Sequence, residues 1–273
     1  MKGKKIVKIV KNVFVWAMSL SMLVPISLVF INSLKTKSEA LSMSFKLPEK
    51  LMISNFLEVI QKGSMGTAFL NSITYSAVSV LLIVIFSSMA AFVLSRNKSK
   101  GNNAIYIFLV LGMTLNLNHV ALMKIMEMLG LMNTRVGLIM IYTAIQIPFA
   151  VFLIYNFIAT VPVEIDEAAI IDGCSPIRLF FQVIFPLLKP AIISVAILNF
   201  LNSWNEFILP LYYLNDSNLW PMTNSVYAFF GKYSASWNLV SANMVLTSLP
   251  VIIIYLLGQK YLVSGITSGS VKG

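Results

Sequence analysis

The chain has 273 residues, of which 58% are hydrophobic and only 11% charged, and its mean hydropathy is +0.84. A soluble domain carries about 25% charged residues, so this composition excludes a water-soluble fold, a disordered chain and a disulfide scaffold, and leaves an integral membrane protein. The net charge of +10 is spread along the chain and forms no basic, aromatic-studded face, which excludes nucleic acid as a partner.

A bilayer-spanning helix needs roughly 20 mostly apolar residues. Stretches without Asp, Glu, Lys or Arg run over residues 12–34, 63–95, 101–123, 136–163 and 233–259, and a sixth, 190–215, is broken only by Glu206. The expected fold is therefore all-α with six transmembrane helices. The first follows a basic segment, residues 1–11, with Lys2, Lys4, Lys5, Lys8 and Lys11. Its apolar run exceeds that of a signal peptide and no small-x-small cleavage site follows, so it reads as an uncleaved span. With the N-terminus inside, the inner segments hold twelve of the 20 Lys and Arg and the outer segments eight, in shorter and denser loops. Both termini are then expected in the cytoplasm.

The outer loop after the first span, 35–66, is expected to hold a short amphipathic helix around residues 53–60. The loop 215–238 carries Trp220-Pro221, Tyr227, Phe229 and Phe230 and is expected to fold back on the membrane surface. No internal repeat is visible. Cys174 is the only cysteine and His119 the only histidine, which rules out an internal disulfide and argues against a metal site.

The inner loop 162–190 is the most informative. Pro162 suits a first helical turn, and Glu164, Asp166 and Glu167 follow where acids favour a helix N-terminus. Ile165, Ala168 and Ala169 share one face. Gly173 fits a C-terminal cap, and Ser175-Pro176 reads as a new N-cap with proline at the first helical position. Leu179, Phe180, Val183 and Ile184 repeat at helical spacing until Pro186 and Pro190 stop that helix. Two short helices joined by a bend are expected, forming an acid-edged knob. On the residues alone it is either a plain surface loop or a docking element for a cytoplasmic partner.

The spacing in this loop carries a resemblance. Glu167-Ala168-Ala169, three residues, Gly173, nine residues, then Val183-Ile184-Phe185-Pro186 resembles the EAA loop of the membrane subunits of binding-protein-dependent ABC importers, with Val for Ile and Phe for Leu. Asn71-Ser72, Gly130-Leu131-Met132-Asn133-Thr134 and Ser203-Trp204-Asn205-Glu206-Phe207 resemble further motifs of that family. Gln259-Lys260-Tyr261 and the closing Gly265 to Gly273 resemble its carbohydrate-uptake, MalG-like branch. The likeness runs from about Asn71 to the last residue.

The resemblance implies a permease subunit in a bacterial cell or inner membrane. Its implied partners are a homologous second permease subunit, two cytoplasmic ATPase subunits and an extracytoplasmic sugar-binding protein. It implies that Glu164, Glu167, Ala168, Ala169, Asp172, Gly173 and Pro186 dock the ATPase, making 162–190 a coupling loop. The tail 260–273, with Gly269 and Lys272, is implied to reach toward the same ATPase. The remainder, 12–273, is the transmembrane domain.

The chain has no G-x-x-x-x-G-K-[ST]: its Gly-Lys pairs, Gly3-Lys4 and Gly231-Lys232, are followed by Lys5 and Tyr233. It is thus expected to hold no cofactor and catalyse no reaction, with ATP and Mg bound by the partner ATPase.

Two sets of residues are candidates for a translocation path, each with a plainer alternative. Glu206 is an ionisable group in a span, which defaults to function. It either snorkels at the interface or, with Trp204 and Asn205, lines a sugar path. Asn116, Asn118 and His119 either mark a locally unwound helix end or form a polar patch facing the path; relatives carry prolines here. The same machine could carry another polar solute such as glycerol phosphate. An ion-driven secondary transporter would show charges in several spans or inverted halves, and a non-transporting assembly protein would leave the loop spacing unexplained.

Overall fold

A computed structural model describes residues 2–231 and 234–268; the tail positions Gly269 and Lys272 lie outside the described residues. The described residues are helical apart from turns and one isolated antiparallel bridge, Phe230 to Ala235. The chain divides into two compact units, Met1–Gly66 with Ser225–Leu249, and Thr67–Asn224 with Pro250–Gly273.

In the first unit α1 (Lys2–Ser33) exposes its apolar side chains all round over residues 10–27, Trp16 and Met22 among them. Such a surface is stable against lipid or a partner, not against water. At its end Asn32, Ser33 and Lys35 become buried. Lys35 Nζ donates to Asn32 Oδ1 (3.1 Å), Ser44 O (2.6 Å) and Ser44 Oγ (3.2 Å), which uses all three of its hydrogens. A capping box between Thr36 and Glu39 starts α2 (Lys37–Ala40). The expected amphipathic helix is present as α3 (Ser54–Lys62), with Asn55 and Val59 buried and Leu57 and Ile60 exposed.

In the second unit α4 (Met65–Arg96) is patterned opposite to a water-soluble helix. Ser72, Ser76, Ser79, Ser87 and Ser88 are buried, while Leu70, Leu81, Phe86 and Val93 face outward. Small polar residues let membrane helices approach closely, whereas large apolar ones suit lipid. α4 packs with α7 (Arg135–Ile158), and the two run parallel. Their N-terminal ends meet where Arg135 Nη2 donates to Asn71 Oδ1 (3.0 Å), and their C-terminal ends where Arg96 reaches Val161 and Asp166. Around their C-terminal halves lies a core of Ile83, Ala91, Ala150, Val151, Ile154, Ile158, Ile184, Leu188 and Val195.

The expected third span is not one helix. α5 (Lys100–Gly112) ends after 13 residues, and α6 (His119–Met128) begins after an unwound stretch. Asn118 sets where α6 begins: its Oδ1 accepts from Ala121 N (3.0 Å) and caps that helix, a role that short polar side chains take at helix starts. Exposed Gly112, at the end of α5, faces the Pro148 ring of α7, where an added Cβ would lie in ordinary contact at 3.6 Å from Pro148 Cγ.

The loop 162–190 forms α8 (Glu164–Ile171) and α9 (Pro176–Leu187), joined at Gly173 as expected. As expected, α9 ends between the two prolines, at Leu187, with Pro190 beyond its end and Pro186 inside its last turn. A π-helical stretch, Leu179–Ile184, precedes it, closed by Phe185 N bonding to Phe180 O. That wider turn accommodates the missing N–H and the ring of the proline. The chain then bends by 77° at Leu188 into α10 (Lys189–Asn205), which carries Pro190 in its first turn. The expected span 190–215 is likewise interrupted: Glu206 is extended, and a separate α11 (Ile208–Tyr213) follows. α12 (Trp237–Ser268) closes the chain; its second-unit part touches α10, where Ser194 Oγ lies 2.8 Å from Tyr261 O.

Among the described residues four helices are long and apolar enough to cross a membrane, and five if the bent α9–α10 pair counts as one span. Two of the six expected spans, 101–123 and 190–215, are not continuous helices, Asn118 and Glu206 each capping a separate helix that follows.

Candidate functional site

The knob is built from its caps inward. Gly173 takes φ +80°, and a Cβ there would meet nothing within 4 Å. The backbone angle, not crowding, therefore requires glycine. Gly173 N donates to Ile170 O (2.9 Å) and Cys174 N to Ala169 O (3.0 Å), the two bonds of a Schellman cap. Ser175 Oγ then accepts from Arg178 N (3.4 Å) at the start of α9.

α8 is held to the rest of the unit by a pair that lies 70 residues apart in sequence. Arg96, the last residue of α4, donates Nε to Asp166 Oδ2 (2.8 Å) and Nη2 to Asp166 Oδ1 (3.1 Å), while its Nη1 reaches Val161 O (3.1 Å). The fork is bidentate, and the side chains are 16% and 9% exposed. An open cleft of about 700 Å³ lies beside it, with Lys98, Thr160, Glu164 and Glu167 on its walls.

The residues singled out in this loop divide by burial. Glu164, Glu167, Ala168, Asp172, Gly173 and Pro186 are exposed, whereas Ala169 is buried and packs into the core. Ile170, Ile171 and Ile177 are also exposed around Gly173. The knob thus presents a carboxylate rim beside an uncovered apolar tip. Sequence reasoning missed Arg96 and gave Asp166 only a helix-dipole role. Arg96 closing one apolar run and Asp166 in the first turn of the helix expected in 162–190 were the available signal.

The second group of residues sits at the opposite ends of α7 and α10. Glu206 Oε1 accepts from Ile208 N (2.8 Å) and Leu209 N (3.1 Å) and so caps α11. Trp204 is buried between Phe69 (5.9 Å, edge-on) and Phe200 (5.6 Å, stacked), while Asn205 is exposed. His119 stacks on Tyr212 at 5.0 Å, and Tyr213 Oη donates to His119 O (3.2 Å). The α5–α6 break and the α10–α11 break are thereby brought together through α11. Asn116 is exposed, and Asn118 serves as the cap already described.

Two quoted motifs have a structural role that sequence reasoning did not assign. Asn71 Nδ2 donates to Asn218 O (2.8 Å) and Trp220 O (3.1 Å), and Ser72 Oγ accepts from Met222 N (2.9 Å). Asn133, at φ +55°, accepts on Oδ1 from Asn215 N (2.8 Å) and Asp216 N (3.0 Å). Both clamp the loop that follows Glu206 onto the starts of α4 and α7. Among the described residues no three His, Cys, Asp or Glu side chains gather as a metal ion would require.

Residues 83–268 match the family described as the binding-protein-dependent transport system inner membrane component. The chain is 34% identical to the melibiose/raffinose/stachyose import permease protein MelC of Bacillus subtilis, over 92% of this chain and 91% of that one. It is 33% identical to the diacetylchitobiose uptake system permease protein NgcG of Streptomyces coelicolor (93% and 85%) and 32% identical to the multiple sugar-binding transport system permease protein MsmG of Streptococcus mutans (99% and 99%). Its fold is similar to that of a chain in the crystal structure of a bacterial ABC transporter involved in the import of the acidic polysaccharide alginate, with a TM-score of 0.84 at 23% identity, covering 96% of this chain and 98% of that chain. The chain therefore belongs to the family of inner membrane components of binding-protein-dependent transport systems.

Proposed function

We propose that this chain is a membrane-spanning subunit of an ATP-driven ABC importer whose solute is a carbohydrate delivered by an extracytoplasmic binding protein. The observation that carries the reading is the knob 162–190: a rigidly capped pair of helices, tied to α4 by Arg96–Asp166, with an acidic and apolar tip left uncovered. Relatives named for melibiose, raffinose, stachyose and chitobiose uptake support the carbohydrate assignment.

Glu164, Glu167, Ala168, Asp172 and the Gly173 turn form the contact with an ATPase subunit in this reading, and Ala169 and Pro186 hold its shape. ATP and Mg are bound by that partner. ATP-driven closure of the ATPase pair pushes on α8 and, through Arg96, on the end of α4. The spans of this chain and of a homologous second subunit then rock between inward-open and outward-open states. Trp204, Asn205, Glu206, Asn116, Asn118 and His119 lie where such a movement would open the outer end.

Six crossings with both termini in the cytoplasm remain the proposed topology. The parallel run of α4 and α7 supports it, since a return crossing is needed between them and α5 with its unwound extension is the segment available. α10 supplies the fifth crossing and α12 the sixth.

The test is co-purification of the tagged chain from native membranes in mild detergent. Recovery of a second permease subunit and an ATPase is expected, and Glu167→Lys should lose the ATPase while keeping the second permease subunit. Recovery of the chain alone, under conditions that preserve other complexes, would refute the proposal.

A further inference from the structure

The first unit carries an apolar face that its own fold leaves uncovered. α3 has three facets. Asn55 and Val59 are buried in the unit, and Ser54, Glu58, Gln61 and Lys62 make a polar facet. On the third, Ile53, just before the helix, Leu57 and Ile60 stand at i, i+4 and i+7 and are 66%, 62% and 47% exposed. The segment leading into α3 adds Phe45, Leu47 and Leu51, each more than half exposed, interleaved with the exposed Lys46 and Lys50.

Hydrogen bonds fix the level at which this face sits. Met52 N donates to Leu34 O (2.9 Å), and Asn55 Nδ2 donates to Ser33 O (2.8 Å) and Lys35 O (2.9 Å). Those carbonyls belong to the end of α1, where the charge-free run 12–34 gives way to Lys35. The apolar span Val10–Ser33 has 24 residues, about 36 Å of helix at roughly 1.5 Å per residue, against a hydrocarbon core of about 30 Å. The end of α1 therefore reaches about one turn beyond the hydrocarbon, among the lipid headgroups.

The far end of α3 is held at the same boundary. Only Gly63 and Ser64 separate it from α4, which is also long and apolar enough to cross a membrane. Nothing between α1 and α4 is long enough to cross, so the end of α1 and the start of α4 lie on one side. Asn238 Nδ2 donates to Asn55 Oδ1 (3.0 Å), which ties α3 to the start of α12 as well. A helix with one apolar and one polar facet, held in the plane of the headgroups, sinks its apolar side chains about 5–10 Å toward the acyl chains.

We propose that α3 and the segment before it form an interfacial lipid-binding surface. Ile53, Leu57 and Ile60 enter the headgroup–acyl boundary of the leaflet in which α1 ends. Ser54 and Gln61 face water, and Lys46 and Lys50 extend to the lipid phosphates. The bilayer is the occupant because the bonds from Met52 and Asn55 to the end of α1 make this face continuous with a membrane span. Seated there, α3 braces the end of α1 and the starts of α4 and α12. The inference requires only that α1 and α4 span the membrane, and it stands apart from the importer reading.

The test uses the complex purified from native membranes and placed in nanodiscs of phosphatidylcholine and phosphatidylglycerol. The nanodiscs are doped with a phospholipid bearing a diazirine either beside the glycerol ester or at the acyl terminus. After irradiation, lipid adducts on peptides of this chain are counted by mass spectrometry. With the ester-side probe, residues 51–62 should be labelled within about threefold of residues 24–30 and about tenfold above the exposed polar turn 215–218. The terminal probe should label residues 16–24 and leave 51–62 near background. Leu57→Gln combined with Ile60→Gln should lower ester-side labelling of 51–62 about tenfold. Labelling of 24–30 should stay unchanged in that variant, which shows that the chain is still inserted. Residues 51–62 at background while 24–30 are labelled would overturn the proposal, the face then being covered by another subunit. Labelling of 51–62 undiminished in the double variant would overturn it too.

Discussion

If Arg96–Asp166 is the strut that sets the knob, Asp166→Asn should loosen α8 without unfolding the membrane helices. Removing one partner of a fully buried ion pair costs about 3–5 kcal/mol, and an exposed pair is worth at most about 1 kcal/mol. With side chains 16% and 9% exposed and a bidentate fork, the expected cost lies between these, about 2–3 kcal/mol. That corresponds to roughly a 30- to 150-fold rise in local opening. Amide hydrogen exchange of residues 164–171 in nanodiscs reads it directly, with α7 as an internal control. The double variant Arg96→Leu/Asp166→Leu should recover part of the loss, because no charge is then left unpaired. Exchange in Asp166→Asn equal to the parent, or a double variant as costly as the sum of its singles, would refute the strut.

Three further outcomes are expected. Gly173→Ala should destabilise the bend by about 1–2 kcal/mol, the cost of a left-handed backbone on a residue with a Cβ, readable as faster proteolysis at 172–176; unchanged cleavage would contradict the cap. Gly137→Ala should be worse, about 3 kcal/mol at the upper end of overpacking, because the new methyl meets the Leu131 carbonyl and lies 2.9 Å from Met126 Cε and 3.0 Å from Thr134 Oγ1; a thermal midpoint in detergent within a degree of the parent would contradict it. Glu39 is held at a pKa of about 2, below its ordinary 4.5, by hydrogen bonds from the Glu49 backbone and then from Thr36. A depressed acid stabilises above its unfolded pKa, so protection of residues 37–40 should be flat from pH 7 to 5 and fall as pH drops from 4.5 toward 2; loss already at pH 6 would refute that capping role.

The spans α1, α4, α7 and α12 were legible because composition alone decides them: long runs without a charge must leave water. At 101–123 and 190–215 the same count marks apolar segments that are not continuous helices. There one side chain, Asn118 or Glu206, takes over the backbone N–H groups of a following helix, and a hydropathy sum has no term for that competition. The loop 162–190 was readable in detail since its caps are local chemistry, the acids, Gly173 and Ser175-Pro176 each acting within a turn. Its π-helical stretch was not, because a proline's place in a helix depends on whether the preceding turn can widen. The Arg96–Asp166 strut and the Asn71 and Asn133 clamps join residues 64 to 149 positions apart, and nothing in the linear pattern marks them as partners.

The most direct test of the central claim is sugar uptake into proteoliposomes carrying this chain with its co-purified subunits. With the binding protein outside and ATP inside, labelled saccharide should accumulate, and accumulation should cease when ATP or the binding protein is omitted. Uptake by the chain without an ATPase, driven by an ion gradient, would contradict the account.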